Sequence, residues 1–574
     1  MIDRASSAIA EKRAQLASSC RLIPGSLTSA FEARADAAAR AAAGLFARDP
    51  RTWSADAAVQ QKISNRLGWL DSPSFMMDKF DRLRRVAEDV VRDGVTDIVL
   101  LGMGGSSLAP EVLRSVIGVA SDRPRFQMLD STDPTAVANA ETPPARTLYV
   151  FASKSGGTIE PNSMAAYFQS RLAAAGVKEW GRHFIAITDE GTALAERARR
   201  DKFREVFINP SDIGGRYSAL SYFGLVPAAL MGQDLEALVA WGRAMADAAE
   251  GAPNIMINPA AALGLALGAA ALAGRDKMTL LLPPNLAEFG LWAEQLIAES
   301  TGKNDVGILP VAGEDEGGVD DYGPDRIFVS LRTAADPVPD IVHELTRVSA
   351  PIIELILPDR MALGAEFMRW EIATAVAGAL LGINPFDEPN VQQAKDATRT
   401  FLSQYESRGH LPVPHPASKE TDAIATVLSS AAGAGAAPGT QPMSALLSQI
   451  HGGDYVALLA YLGPDPAFTN VLHEARARLR RRFKVATTVG WGPRYLHSTG
   501  QLHKGGPNSG VFVLISAAPR VDVAIPGEPF SFGTLELAQA LGDFASLDAA
   551  RRRAIHIHLP RPDASLLAKA LDTL

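Results

Sequence analysis

One cysteine, Cys20, stands in a chain of 574 residues. That scarcity excludes an internal disulfide framework and a thiolate metal cluster. Charge of one sign is missing too. There are 56 Lys and Arg against 64 Asp and Glu, a net charge of −8, so the chain lacks the positive field of a general nucleic-acid binder. A small anion can still be held locally by backbone N–H groups and a few Lys or Arg. Long apolar runs are absent. Pro259–Gly274, Ala- and Gly-rich, is the longest uncharged one and falls short of the ~20 strongly apolar residues of a membrane span, so a buried helix is expected there. The opening MIDRASSAIAEKRAQ has no apolar signal core. The expected address is cytoplasmic, without a membrane or nucleic-acid partner. No metal box or redox-cofactor motif is present, so none is expected. Hydrophobic residues at 47% and charged residues at 21% are an ordinary globular mixture, which excludes a disordered or collagen-like chain.

What is present is an alternation of short apolar runs with helical patterns. Asp97–Leu101, Thr147–Phe151, Phe184–Ile187 and Glu205–Ile208 read as strands, with helices such as Ser163–Ala175 and Ala193–Arg200 between them. After Pro253 the pattern restarts with strands Met278–Leu282, Arg326–Leu331 and Ile352–Leu357 and helices Leu286–Glu299 and Gly364–Leu381. A third series holds Tyr455–Tyr461, Val485–Thr488, Val511–Ile515, Val521–Ile525 and Ala554–Leu559. Alternation of this kind predicts right-handed βαβ units and parallel sheets, an α/β fold. The expected division is an N-terminal helical segment at 1–55, polar enough to lie on a surface, units at 56–252 and 253–412, a Pro/Ser/Gly/Ala-rich linker at 413–442 and an α/β unit at 443–574.

Two strand-to-helix turns carry chemistry. Leu101–Ser107, LGMGGSS, follows the first strand. Glycines without Cβ let the backbone approach a ligand, and the N–H groups of the following helix face an anion. Phe151–Glu160, FASKSGGTIE, interleaves the hydroxyls of Ser153, Ser155 and Thr158 with Gly156 and Gly157. Such a turn wraps a phosphate with little formal charge. Both turns sit at strand carboxyl ends, where ligands of open α/β sheets bind.

Together with Asp212–Ser218 (DIGGRYS), Gln295–Lys303 (QLIAESTGK) and Asn384–Lys395 (NPFDEPNVQQAK), these turns resemble the sugar-isomerase domain of the glucose-6-phosphate isomerase family over roughly residues 60–400, in family order. The C-terminal third more resembles the isomerase half of transaldolase–phosphoglucose isomerase fusion proteins. The resemblance implies two doubly wound parallel-sheet sugar-isomerase domains plus a C-terminal α/β domain. It implies reversible isomerisation of glucose 6-phosphate and fructose 6-phosphate through an enediolate, without a cofactor. A dual phosphoglucose/phosphomannose isomerase and a non-catalytic sugar-phosphate sensor are the alternatives. By resemblance, Gly105, Ser106, Ser153, Ser155 and Thr158 would hold the phosphate, with Lys154 inside the second turn as a further substrate-binding residue. Gly215 and Arg216 would face the reacting carbons. Glu299 would be the base with Gln295 one turn before it, Lys395 the active-site lysine, and Glu160 the carboxylate orienting a catalytic histidine.

The histidine departs from the family pattern. The stretch after Glu299 contains none, whereas Leu496–Gln501, LHSTGQ, resembles the histidine context of some bacterial members. His497 takes the role, with His503 as the weaker candidate. Ordinary members receive this side chain from a neighbouring subunit. Here the third unit would deliver it within one chain, so monomer and homodimer are both open. The basic run from Arg476 to Lys484 reads as a solvated helix end, and His556 with His558 as neighbours on one strand face.

Overall fold

A computed structural model describes residues 2–415 and 422–574. Met1 of the expected N-terminal segment and 416–421 of the expected linker lie outside the described residues. The fold is mixed α/β, built on three five-stranded sheets.

The strands in chain order are β1 (Cys20–Ile23), β2 (Asp97–Leu101), β3 (Arg125–Leu129), β4 (Thr147–Ala152), β5 (Phe184–Asp189), β6 (Glu205–Asn209), β7 (Lys277–Leu281), β8 (Leu309–Val311), β9 (Arg326–Thr333), β10 (Ile352–Leu357), β11 (Ala425–Leu428), β12 (Tyr455–Tyr461), β13 (Ala486–Trp491), β14 (Gly510–Ala517) and β15 (Arg553–Leu559). The first sheet runs β3-β2-β4-β5-β6 and is wholly parallel. The second runs β8-β7-β9-β10-β1 and the third β13-β12-β14-β15-β11. All three share one order: the first parallel strand lies between the second and the third, and the fourth follows. The fifth place differs. In the first sheet β6 continues the parallel series, whereas β1 and β11 pair antiparallel with β10 and β15.

Those two antiparallel edges correct the sequence reading. The N-terminal segment is not a polar surface layer. It supplies β1, and its helix Thr28–Phe46 buries Phe31, Ala38, Ala41, Ala42 and Leu45 in the core. The 413–442 stretch is more than a connection, since β11 and the short helix Ser430–Ala434 lie in it. Two four-residue strands are too short to show alternation, which is why both escaped. β3 and β8 also went unread, and Val521–Ile525 is not a strand; Val521 is exposed.

The run Pro259–Gly274 forms the buried helix Ala261–Leu272. Its small residues let the backbone of the helix Leu363–Leu380 come close: a Cβ on Gly264 would sit 2.5 Å from the Ala373 carbonyl oxygen. Among the described residues no helix is long and apolar enough to cross a membrane.

The third sheet is joined to the second by buried charge. Arg476 donates to the carbonyls of Ala312 (2.9 Å) and Gly313 (2.5 Å) and to that of Thr487 (2.7 Å). Arg480 donates to the Asp315 carbonyl. Glu314 pairs with Arg326 at 3.0 Å and accepts from Thr487 Oγ1 at 2.7 Å. Arg476 and Arg480 are therefore a clamp between units, not the solvated face that their run of charge suggests.

Candidate active site

The loops after β2 and β4 flank the point where the strand order of the first sheet reverses, the place where open α/β sheets bind ligands. A Cβ on Gly105 would lie 2.0 Å from the Gly215 carbonyl oxygen, so the DIGGRYS loop can reach this turn only against glycine. Gly104 has φ +54°, and a Cβ there would meet Gln295 Nε2 at 2.8 Å and the His497 carbonyl oxygen at 2.9 Å. Three segments far apart in sequence thus converge on one glycine pair.

In the second loop Ser153 Oγ donates to Thr158 Oγ1 at 3.3 Å, and the Gly157 N–H donates to Ser155 Oγ at 3.3 Å. Thr158 stands at the N-cap of the helix Ile159–Ala174 without a side-chain capping bond, which leaves the first N–H groups of that helix free to meet an anion. After β2 the N-cap of the helix Leu108–Val116 is Ser107, and Ser106 ends the short turn Gly104–Ser106 just before it. Lys154 differs from expectation. Its Nζ is paired with Asp189 and donates to the Ser211 carbonyl at 3.0 Å. It ties the loop to the end of β5, and its charge is already spent.

Glu299 lies in the last turn of the buried helix Phe289–Thr301. Gln295, one turn earlier, donates from Nε2 to Glu299 Oε2 at 3.1 Å and to the His497 carbonyl at 2.7 Å. Arg216 Nη1 is 3.3 Å from Glu299 Oε1 and 3.0 Å from Glu388 Oε2. Its other nitrogens donate to Ser300 Oγ (2.7 Å) and to the carbonyls of Pro385 (2.7 Å) and Asp387 (3.0 Å). Burial pushes the Glu299 carboxyl above the ordinary glutamate value, against the pull of Arg216. Arg216 is itself buried, but Glu299 and Glu388 outweigh that cost and hold it firmly protonated.

His497 comes from the third unit, on the loop after β13, and its Nε2 is 3.0 Å from Glu160 Oε1. Burial would raise the Glu160 carboxyl, but His497 outweighs it and the net shift is downward. A cavity of about 280 Å³ is lined by Ser155, Thr158, Glu160, Lys395, His497 and Gln539. Lys395 is exposed on the helix Val391–Arg408 at its rim. Arg216 and Glu299 are not in that lining; Gln295 links them to His497. A larger cleft of about 690 Å³ opens between β3 and the third sheet, and none of the expected site residues line it.

His503 is not at the site. It is buried against Tyr455, whose OH lies 2.9 Å from Nδ1, and burial keeps the ring neutral. His556 and His558 share Ser516 Oγ at 2.8 and 2.9 Å. Several residues around the site had no role in the sequence reading. Glu388 and Lys303 lay inside the quoted motifs. Lys303, brought down to about 8 by burial and by Arg216, donates to the Asn384 carbonyl at 2.8 Å and to Asp387 Oδ1 at 2.7 Å. Gln501, inside LHSTGQ, donates to the Gly302 carbonyl at 2.9 Å and accepts from the Asn390 N–H at 2.8 Å. Gln539 had no motif at all.

With the geometry in place, the chain can be set beside known proteins. The family model described as Phosphoglucose isomerase matches residues 81–311. Over this stretch the chain is similar to that family. A glucose-6-phosphate isomerase of Synechococcus sp. (strain JA-2-3B'a(2-13)) is 27% identical over 423 residues, covering 61% of this chain and 79% of the relative. One from Cyanothece sp. (strain PCC 7425 / ATCC 29141) is 34% identical over 216 residues, 36% of this chain and 40% of the relative. The crystal structure of a hypothetical protein from Thermus thermophilus has a TM-score of 0.55 at 25% identity, over 67% of this chain and 100% of that one. The phosphoglucose isomerase match holds Ser106, Ser153, Ser155, Thr158, Glu160, Arg216, Gln295 and Glu299; Glu388, Lys395, His497 and Gln539 lie beyond it.

Proposed function

We propose that the protein interconverts glucose 6-phosphate and fructose 6-phosphate by proton transfer through an enediolate. The observation that carries this reading is a buried carboxylate, Glu299, set against a permanently charged guanidinium and linked through Gln295 to a histidine–carboxylate pair.

Aldose–ketose isomerisation needs one base that removes a proton from C2 and returns it to C1. A carboxyl raised by burial suits a task performed near neutral pH. Negative charge develops on the C1 and C2 oxygens as the proton leaves, and a fixed cation stabilises that state more than the ground state. Arg216 has this role, and guanidinium cannot surrender its proton. Glu388 now occupies Nη1, so the substrate oxygens compete with its carboxylate. Opening the sugar ring moves a proton between the anomeric hydroxyl and the ring oxygen. His497 serves there, its Nε2 turned to Glu160 and Nδ1 left for the sugar, with Lys395 at the rim. Ser106, Ser153, Ser155 and Thr158 hold the phosphate, whose binding orients the reacting carbons.

His497 reaches the site within one chain, so a monomer suffices for catalysis. A cytoplasmic address accords with a phosphorylated sugar as substrate. The testing experiment is a coupled assay with glucose 6-phosphate and mannose 6-phosphate on wild type and Glu299→Gln. Turnover of glucose 6-phosphate that collapses in the variant supports the proposal. Binding without turnover supports a sensor, and comparable turnover of mannose 6-phosphate supports a dual isomerase.

A further inference from the structure

Beyond the histidine itself, the third unit places a second side chain against the site. Gln539 projects from the helix Phe532–Ala549 and is 2% exposed. Its Nε2 donates to Glu160 Oε1 at 2.7 Å, the same oxygen that faces His497 Nε2 at 3.0 Å. Its Oε1 accepts from Thr132 Oγ1 at 2.7 Å. Thr132, on the loop after β3, is fully buried.

We propose that Gln539 is a positioning residue that holds Glu160 ionised and aimed at His497, with Thr132 fixing the orientation of the Gln539 amide. An amide can present either its oxygen or its nitrogen to a neighbour. The acceptor-only Glu160 carboxylate draws Nε2, and the Thr132 hydroxyl, which can donate or accept, donates to the Oε1 that then faces it and holds the amide in that orientation. A donor on a buried carboxylate favours its charged form. Charged Glu160 accepts a hydrogen bond from the Nε2–H of His497 and leaves Nδ1 as the atom that takes and returns a proton. The groups facing Glu160 are His497, Gln539 and, at longer range, Lys395 and Tyr461. Of the two at hydrogen-bond distance, His497 titrates and the Gln539 amide does not, so the contribution of Gln539 persists whatever the protonation of the others. The inference deepens the isomerase reading and rests on it for its kinetic arm.

The test uses the full chain with Gln539→Leu, Thr132→Val and Thr132→Ser. Hydrogen bonds to charged groups are among the stronger ones, so Gln539→Leu should lower kcat on the closed-ring substrate by about tenfold with KM nearly unchanged. Its pH profile should shift, because Glu160 takes up a proton more readily. Thr132→Val should move both readouts in the same direction by less, and Thr132→Ser should restore wild-type behaviour. The double variant Thr132→Val/Gln539→Leu should match Gln539→Leu alone, since both act through one amide. NMR titration of the His497 ring reads the same change without any turnover. If wild type turns over no sugar phosphate, the isomerase reading falls while the ring titration still tests Gln539. An unmoved His497 titration and an unchanged pH profile in folded Gln539→Leu would overturn the inference. Should that variant not fold, an unmoved titration in Thr132→Val would do the same.

Discussion

Two buried carboxylates face the site, and their surroundings push them in opposite directions. Glu160 sits in the first turn of its helix, where the dipole favours negative charge, and accepts from His497 and Gln539. Glu299 sits in the last turn of its own helix, where the dipole opposes negative charge, with burial as the dominant influence. The first is held below its ordinary value and the second above it. In the proposed reaction a pair pushed apart in this way divides the labour: Glu160 stays ionised and orients a histidine, while Glu299 exchanges a proton with substrate. The same division separates the two ends of the site. The loops after β2 and β4 offer hydroxyls and backbone N–H groups, whereas Arg216, Glu299, Lys303 and Glu388 concentrate charge at the end where the proposed proton transfer takes place.

The sharpest break of this comparison is Glu299→Gln, which should lower kcat on the order of 10³-fold while KM for the sugar phosphate changes little. Glu160→Gln keeps shape but removes the charge, and should cost about 10²-fold, confined to substrates that enter as closed rings. Acidification sharpens the contrast further. Activity requires ionised Glu299, so kcat/KM should fall as pH drops through a value above the ordinary glutamate range. Glu160 has a depressed folded value, so its contribution to stability is full above the ordinary carboxylate range and is lost only as pH falls through that lower value. A kcat/KM profile run beside thermal melts should therefore show activity failing at higher pH than the fold.

Smaller effects are expected at the gripping end. Thr158→Ala and Ser155→Ala each remove one neutral hydrogen bond and should raise KM by about three- to tenfold. The smallest change is a gain. Glu388→Gln removes the carboxylate that competes for Arg216 and should lower KM by about threefold, read in the same steady-state assay.

The sequence made the parallel sheets legible because β2, β4, β5, β7, β10 and β12 are largely apolar runs bounded by turns. It hid β1 and β11, whose four residues gain their meaning only from pairing with β10 and β15. Around the site, Glu299, Arg216 and the hydroxyl loops were legible because each lies in a local motif. His497 was found by its LHSTGQ context. Lys154 was misread because a lysine inside a phosphate-like turn looks available until Asp189 is seen beside it. Gln539 had no local signal: its role exists only through the packing of a distant helix on Glu160 and Thr132.

The central claim is that Glu299 carries the proton between C1 and C2. Isomerisation of fructose 6-phosphate in D2O, followed by NMR at both carbons, tests it most directly. Wild type should introduce deuterium as it turns over, and Glu299→Gln should do so more slowly by on the order of 10³-fold. Deuterium entering at the wild-type rate in the variant would contradict the account.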